Sequence, residues 1–161
     1  MSPLFAKRPV ALALGLALSF TAVGGAALAA VDAGKAIASR IDNYKKIGTA
    51  FKTINDGLKA DAPDAKAIAA QAKIVKDLSA QIPNWFPKGT GPESGVKTRA
   101  KAEIWSDWAT FAASAKSLNA ESAKLETIAK GGDIDAIKAQ VKATGGACKT
   151  CHDKFRGPEI K

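Results

Sequence analysis

Cys148, Cys151 and His152 are the side chains of this protein best suited to chemistry, and they stand together as Cys148-Lys149-Thr150-Cys151-His152. C-x-x-C-H is the attachment pattern of a c-type haem. The two thiols add to the haem vinyl groups, and the imidazole that follows binds iron from one side. On a helix, positions i, i+3 and i+4 share a face, so all three side chains can meet one flat ligand. Parts of the pattern serve other chemistries. A bare C-x-x-C is a thiol–disulfide redox pair when a βαβ pattern surrounds it, and none does here. Structural zinc takes four ligands, and the whole chain has two cysteines and one histidine. A chance match to a short motif is the last alternative. The reading carried forward is one haem c, covalent through two thioethers, with His152 as its metal ligand.

The first segment of the chain is an address rather than a positioning element. Lys7 and Arg8 form a basic start, Val10 to Phe20 is an apolar run, and Ala27-Leu28-Ala29 fits a small-x-small cleavage site. This predicts a cleaved bacterial-type secretory signal peptide over 1–29 and a periplasmic domain over 30–161. The apolar run is short and rich in Ala and Gly, which argues against a spanning helix, the alternative being an uncleaved membrane anchor. The net charge of +9 falls to +7 once the two leader cations are removed. A basic surface can mean nucleic acid, but export and the lack of an aromatic-interleaved basic cluster exclude that partner. Two cysteines in an exported chain can form a disulfide, yet the histidine directly after Cys151 favours thioethers.

Four helices are predicted to position the motif. Ile37, Ile41, Tyr44, Gly48, Phe51, Asn55 and Leu58 recur at helical steps from Ala33 to about Lys59. Gly48 lies on that stripe, and a mid-helix glycine costs about 1 kcal/mol against alanine, so close approach by a flat ligand or a second helix is expected there. After the Asp61-Ala62-Pro63-Asp64 break, a second helix over about 63–80 carries Ile68, Ala72, Val75 and Leu78, with Ile82 continuing the stripe. The Pro- and Gly-rich stretch from Ile82 to Gly95 reads as a loop, with Trp85 and Phe86 pinning it to the core. A third helix is expected from Thr98 to Lys130, with Ile104, Trp108, Phe111, Ala115, Leu118, Ser122, Leu125 and Ile128 as its seam. Trp105 lies off that seam, placed to line a pocket or cap an end. Gly131-Gly132-Asp133 stops that helix and starts the fourth, which bears Ile134, Ile137, Val141, the haem motif and Phe155. Gly145 and Gly146 weaken the fourth helix just before the motif and clear space. No strand alternation or dinucleotide-binding glycine pattern is present. The predicted fold is therefore all-α: an antiparallel up-down-up-down four-helix bundle with covalently attached haem.

Over nearly the whole mature chain this sequence resembles cytochrome c′, the class II c-type cytochromes. The resemblance is carried by the C-terminal motif with Asp153-Lys154-Phe155-Arg156 behind it, by Glu103-Ile104-Trp105-Ser106-Asp107, and by Arg40, Tyr44 and Gly48 on the first helix. It implies that Arg156 tunes the proximal imidazole and that Arg40 pairs with a haem propionate. Their plainer roles are a helix-end arginine favoured by the macrodipole and a solvated helix charge. It also implies that Tyr44 faces the iron from the distal side. There a methionine completes six-coordinate iron in low-spin carriers of the class, and Leu or Phe blocks the site in cytochrome c′ proper. Tyr44 departs from both. It is a Phe-like wall, a hydroxyl that contacts a bound ligand, or a phenolate on iron as in catalase. Homodimers formed through the first two helices are a further implication.

One consequence needs only the haem assignment. The single methionine is Met1, lost with the leader, and the single histidine is already used. Met/His and His/His ligation are both excluded. Five-coordinate, high-spin iron that binds NO and CO is the expected function. The alternative is electron transfer with a periplasmic redox partner docked on the basic surface. No distal His and Arg pair is present to drive peroxidase chemistry, so no enzymatic activity is expected.

Overall fold

The computed structural model describes residues 31–159. The predicted leader, with its Ala27-Leu28-Ala29 site, lies outside the described residues. The fold is the expected antiparallel four-helix bundle. Its long helices are α1 (Ala33–Gly57), α2 (Ala65–Ser79), α4 (Trp108–Gly131) and α5 (Ile134–Phe155), with α3 (Glu103–Ser106) a single turn ahead of α4. Among the described residues no helix is long and apolar enough to cross a membrane.

Each long helix starts on an aspartate. Asp32, Asp64, Asp107 and Asp133 accept hydrogen bonds from first-turn backbone N–H groups, which have no partner inside the helix. Asp64, not Pro63, is therefore the start signal of α2, and α2 ends at Ser79, ahead of Pro83. Gly132 closes α4 in the left-handed region at φ 82°, a conformation that favours glycine, and Asp133 immediately caps α5.

The packing runs α1 on α2, α2 on α4, and α4 on α5. α1 and α5 make little direct backbone contact and face each other across a cleft. Away from the cleft the bundle closes on small and aliphatic residues: Ile54, Ile68, Ala69, Ala72, Leu125, Ala129, Ile137 and Val141. Nearer the cleft the buried cluster is aromatic, with Phe86, Phe111 and Phe155 joined by Ile47, Val75, Ile82 and Ile104.

Three expectations need correction. The third helix does not begin at Thr98. Residues 98–102 are non-helical, and Ala100 forms an antiparallel bridge with Arg156. Their backbone groups are used by the chain beyond α5: Lys101 N–H donates to the Phe155 carbonyl at 3.1 Å, and Gly157 N–H to the Arg99 carbonyl at 2.7 Å. Second, Trp108 is 40% exposed rather than in the seam. Asp107 breaks the helix at φ −125°, ψ 53°, so α4 starts out of phase with Ile104. At the far end Ala129 is buried and Ile128 only half-buried, the drift a 3.6-residue helix shows against a strict heptad. Third, the α1 stripe is shifted: Ile47, Ala50 and Ile54 are buried, Ile41 is 43% exposed, and of the two neighbours expected for Gly48 no second helix comes within contact distance of where its Cβ would sit. Gly48 opens onto the cleft instead.

Candidate functional site

The cleft between α1 and α5 has a volume of about 500 Å³, within the range of small-molecule and cofactor sites. α5 supplies one wall with Cys148, Cys151, His152, Phe155 and Arg156. α1 supplies the facing wall with Arg40, Ile41, Tyr44, Ile47, Gly48 and Phe51. Phe86 closes the cleft from the loop, Thr98, Arg99 and Ala100 from the extended segment, and Ile104, Phe111, Ala115 and Leu118 from α3 and α4. All six residues singled out from the sequence, Cys148, Cys151, His152, Arg40, Tyr44 and Arg156, thus line one cavity.

α5 stays helical through Gly145 and Gly146, so the spacing of the motif becomes a shared face. Gly145 sits beside Phe51, its Cβ position 3.6 Å from that ring. Both cysteines are free and half-buried. Burial pushes both thiols up, Cys151 to about 11 with a further push from Cys148. Redox-active C-x-x-C pairs have lowered thiol pKa values, so the redox-pair reading loses its electrostatic basis. The zinc reading also fails: among the described residues no cluster of three or more His, Cys, Asp or Glu side chains is arranged to hold a metal ion.

His152 lies in the last turn of α5. Burial lowers its pKa, and the charges of Arg156 and Arg99 lower it further, against a smaller opposing effect of Asp153. The ring is thereby kept in the neutral form, the form that can ligate a metal.

Arg40 is not a solvated helix charge. It is 3% exposed and has no carboxylate partner among the described residues. Its guanidinium lies 4.4 Å from the centroid of the Phe86 ring and donates to the Thr90 carbonyl at 3.1 Å and to Thr98 Oγ1 at 3.0 Å. Thr90, fully buried, donates in turn to the Pro87 carbonyl at 2.8 Å. Trp105 completes this support: its indole N–H is shared between the Phe86 and Pro87 carbonyls, each at 3.2 Å. Phe86 does pin the loop as expected, and Trp105 and Arg40 pin Phe86.

Tyr44 packs edge-on against Trp85 at 5.3 Å and Phe86 at 6.3 Å between centroids. Among the described residues its hydroxyl makes no hydrogen bond, and no fully buried side-chain polar atom there lacks a partner, so the hydroxyl opens onto the cleft. Burial pushes its pKa up strongly, with the two cysteines adding to this and Arg40 opposing.

Among the described residues the cleft is lined by four cations, Arg40, Lys45, Arg99 and Arg156, and by no carboxylate. An apolar slot with two thiols and an imidazole on one wall and cations around it suits a flat apolar ligand that carries carboxylates. The residues present therefore fit a haem. Arg99 and the Thr90–Thr98 stretch did not stand out in the sequence, because no motif marks them. Their only signal was adjacency to the Glu103-Ile104-Trp105 segment.

The family model described as Cytochrome C′ matches residues 35–156. The chain belongs to the cytochrome c′ family. Cytochrome c′ from Rhodospirillum rubrum is 35% identical over 153 residues, covering 93% of this chain and 98% of the relative. That from Rubrivivax gelatinosus is 40% identical over 124 residues, covering 76% and 95%. The crystal structure of the Rubrivivax protein superposes with a TM-score of 0.69 over 77% of this chain and 96% of its own. A ferrous variant of cytochrome c′ from Alcaligenes xylosoxidans with bound NO gives a TM-score of 0.70 at 30% identity, over 79% and 97%. Cytochrome c′ proteins are haem proteins, and the family is a standard example of the up-down four-helix bundle.

Proposed function

We propose that this is a periplasmic haem protein whose five-coordinate iron binds small neutral diatomics, NO and CO foremost, and that it is not an enzyme. Cys148 and Cys151 hold the haem c through thioethers and His152 ligates its iron. When bound, the iron supplies the position at which a diatomic coordinates. The observation that carries the reading is the makeup of the wall opposite His152. Tyr44, Ile47, Phe51 and Phe86 face the cleft there, and the chain has no second histidine and no methionine beyond Met1.

Tyr44 acts as a steric wall in this reading. Its raised pKa disfavours the phenolate that direct ligation needs, and its free hydroxyl is available to a ligand held in the cleft. Arg40 pairs with a haem propionate, and Arg156, on the exposed side of the cleft, tunes the His152 imidazole. Export follows from residues 1–29. Pairing of two copies through α1 and α2 is supported by Ile74, 40% exposed on α2.

The test is an optical and EPR spectrum of the purified mature protein, ferric and ferrous, before and after CO. High-spin iron that takes CO is expected. Low-spin ferrous iron that refuses CO would overturn the reading and favour electron transfer, which the basic surface otherwise supports as the second reading.

A further inference from the structure

The last turn of α5 is not held by helix bonds alone. Beyond Phe155 the chain leaves the helix and runs antiparallel to residues 99–101, with Ala100 opposite Arg156. Two backbone bonds close this short ladder, Lys101 N–H to the Phe155 carbonyl and Gly157 N–H to the Arg99 carbonyl. A third bond comes from a side chain: Arg99 Nε donates to the Gly157 carbonyl at 3.0 Å. Arg99 and Gly157 thus grip each other reciprocally, backbone to backbone and side chain to backbone. Gly157 is packed tightly enough that a Cβ would lie 3.3 Å from the Arg99 carbonyl. Arg156, between these bonds, donates its N–H to the His152 carbonyl at 3.0 Å. The clasp therefore connects directly to the residue that faces the cleft.

We infer that Arg99 is a positioning residue, and that its Nε bond to Gly157 fixes the backbone around Arg156 and through it the seat of the His152 ring. An isolated ladder of two backbone bonds just beyond a helix end frays readily. The side-chain bond, made by a planar group with a fixed donor direction, helps to close this one beside a longer bond from Lys101 Nζ to the Lys154 carbonyl at 3.2 Å. The remaining ion pair of Arg99 is loose: Glu159 lies 3.8 Å away and is almost fully exposed, so the Gly157 bond is its main structural tie. This inference rests on His152 being the iron ligand.

Two variants of the full haem-loaded protein separate hydrogen bond from charge. Arg99→Ala removes both. Arg99→Gln removes the charge but keeps an N–H at the position of Nε. Two readouts apply: amide hydrogen exchange at Lys101 and Gly157, and the iron–histidine stretching band of the ferrous protein. The expected result for Arg99→Ala is exchange about tenfold faster at both amides together with a broadened iron–histidine band, whereas Arg99→Gln, which also lacks the charge felt by His152, keeps wild-type exchange and shows at most a shifted band of unchanged width. Faster exchange in Arg99→Ala with a band of unchanged width would overturn the inference, since the clasp would then tie down only the chain end. Equal change in both variants would also overturn it, by assigning the effect to charge. Absence of any haem spectrum in the wild type would instead strike the proposed function, and the exchange data would still report whether Arg99 closes the ladder.

Discussion

The two ends of the bundle use the same helices but different packing. At the closed end α1, α2, α4 and α5 meet through Ala69, Ala72 and Ala129 set among Ile54, Leu125 and Ile137. Alanine lets helix backbones approach, and the aliphatic side chains fill what space is left, so stability there is a matter of volume. At the other end α1 and α5 stay apart. Aromatic rings form the frame, with Phe111 in edge contact with Phe86 at 4.7 Å and Phe155 at 5.4 Å, and a buried arginine braces the loop. Large rigid rings around a slot hold a shape without filling it. The comparison teaches that one bundle divides its tasks along its length: both ends bury apolar surface, but one is packed solid and the other is framed around the site.

The largest expected effect tests the open end. Replacing both Cys148 and Cys151 with serine should abolish covalent haem, seen as loss of haem staining on a denaturing gel, while the far-ultraviolet circular dichroism of the bundle persists. Loss of all helical signal would mean that the closed end does not fold independently of the site.

Leu125→Ala tests the closed end. Leu125 is fully buried, and the truncation should cost about 3 kcal/mol in denaturant unfolding without moving the ferrous–CO spectrum. A changed spectrum would show that the two ends are coupled.

Glu126, 6% exposed, sits between Lys76 of α2 and Lys130 of α4. It accepts hydrogen bonds from Lys130 at 2.6 Å and Lys76 at 2.5 Å, and these hold its carboxyl at about 2 against an ordinary 4.5. Between those values the unfolded chain binds more protons than the folded one. The stabilisation is therefore complete above about 4.5 and lost as pH falls toward about 2. Glu126→Gln should flatten that acid limb of the stability–pH curve, measured by urea unfolding from pH 6 down, and leave CO binding as it is.

The smallest effect is at Tyr44. Tyr44→Phe should change stability by less than about 0.5 kcal/mol, because the hydroxyl has no protein partner among the described residues. CO association should stay nearly unchanged if the ring is a wall. Faster CO or NO dissociation in the variant would assign the hydroxyl to the bound ligand.

Much of this was legible locally. The motif spacing, the stripes of α2 and α5, the Asp133 start and the Gly132 stop depend on neighbours three or four residues away, and each reads correctly. The misplacements share one cause. Thr98 to Ala102 carries no strong helix breaker, so it reads as the start of a helix, but it bonds with residues 155–157, far along the chain. Trp108 fits the heptad and is exposed, because the break at Asp107 resets the phase. For Arg40 the residues alone left a solvated charge and a ligand-pairing cation open, and Thr90, Thr98 and Phe86, about fifty residues away, make its burial tolerable.

The sequence by itself determined the chemistry of the site. Two thiols and one imidazole at helical spacing, with no second histidine or internal methionine, limit what can be attached and what can bind opposite. Covalent composition and local periodicity settle such matters, since no tertiary contact can add a ligand the chain lacks. The tertiary structure alone decided that α1 and α5 part to form a cleft, that the cations Arg40 and Arg99 join its lining, and that the Tyr44 hydroxyl is left without a partner there. Those outcomes turn on which distant groups satisfy each buried polar atom, and a pattern of near neighbours carries no record of that.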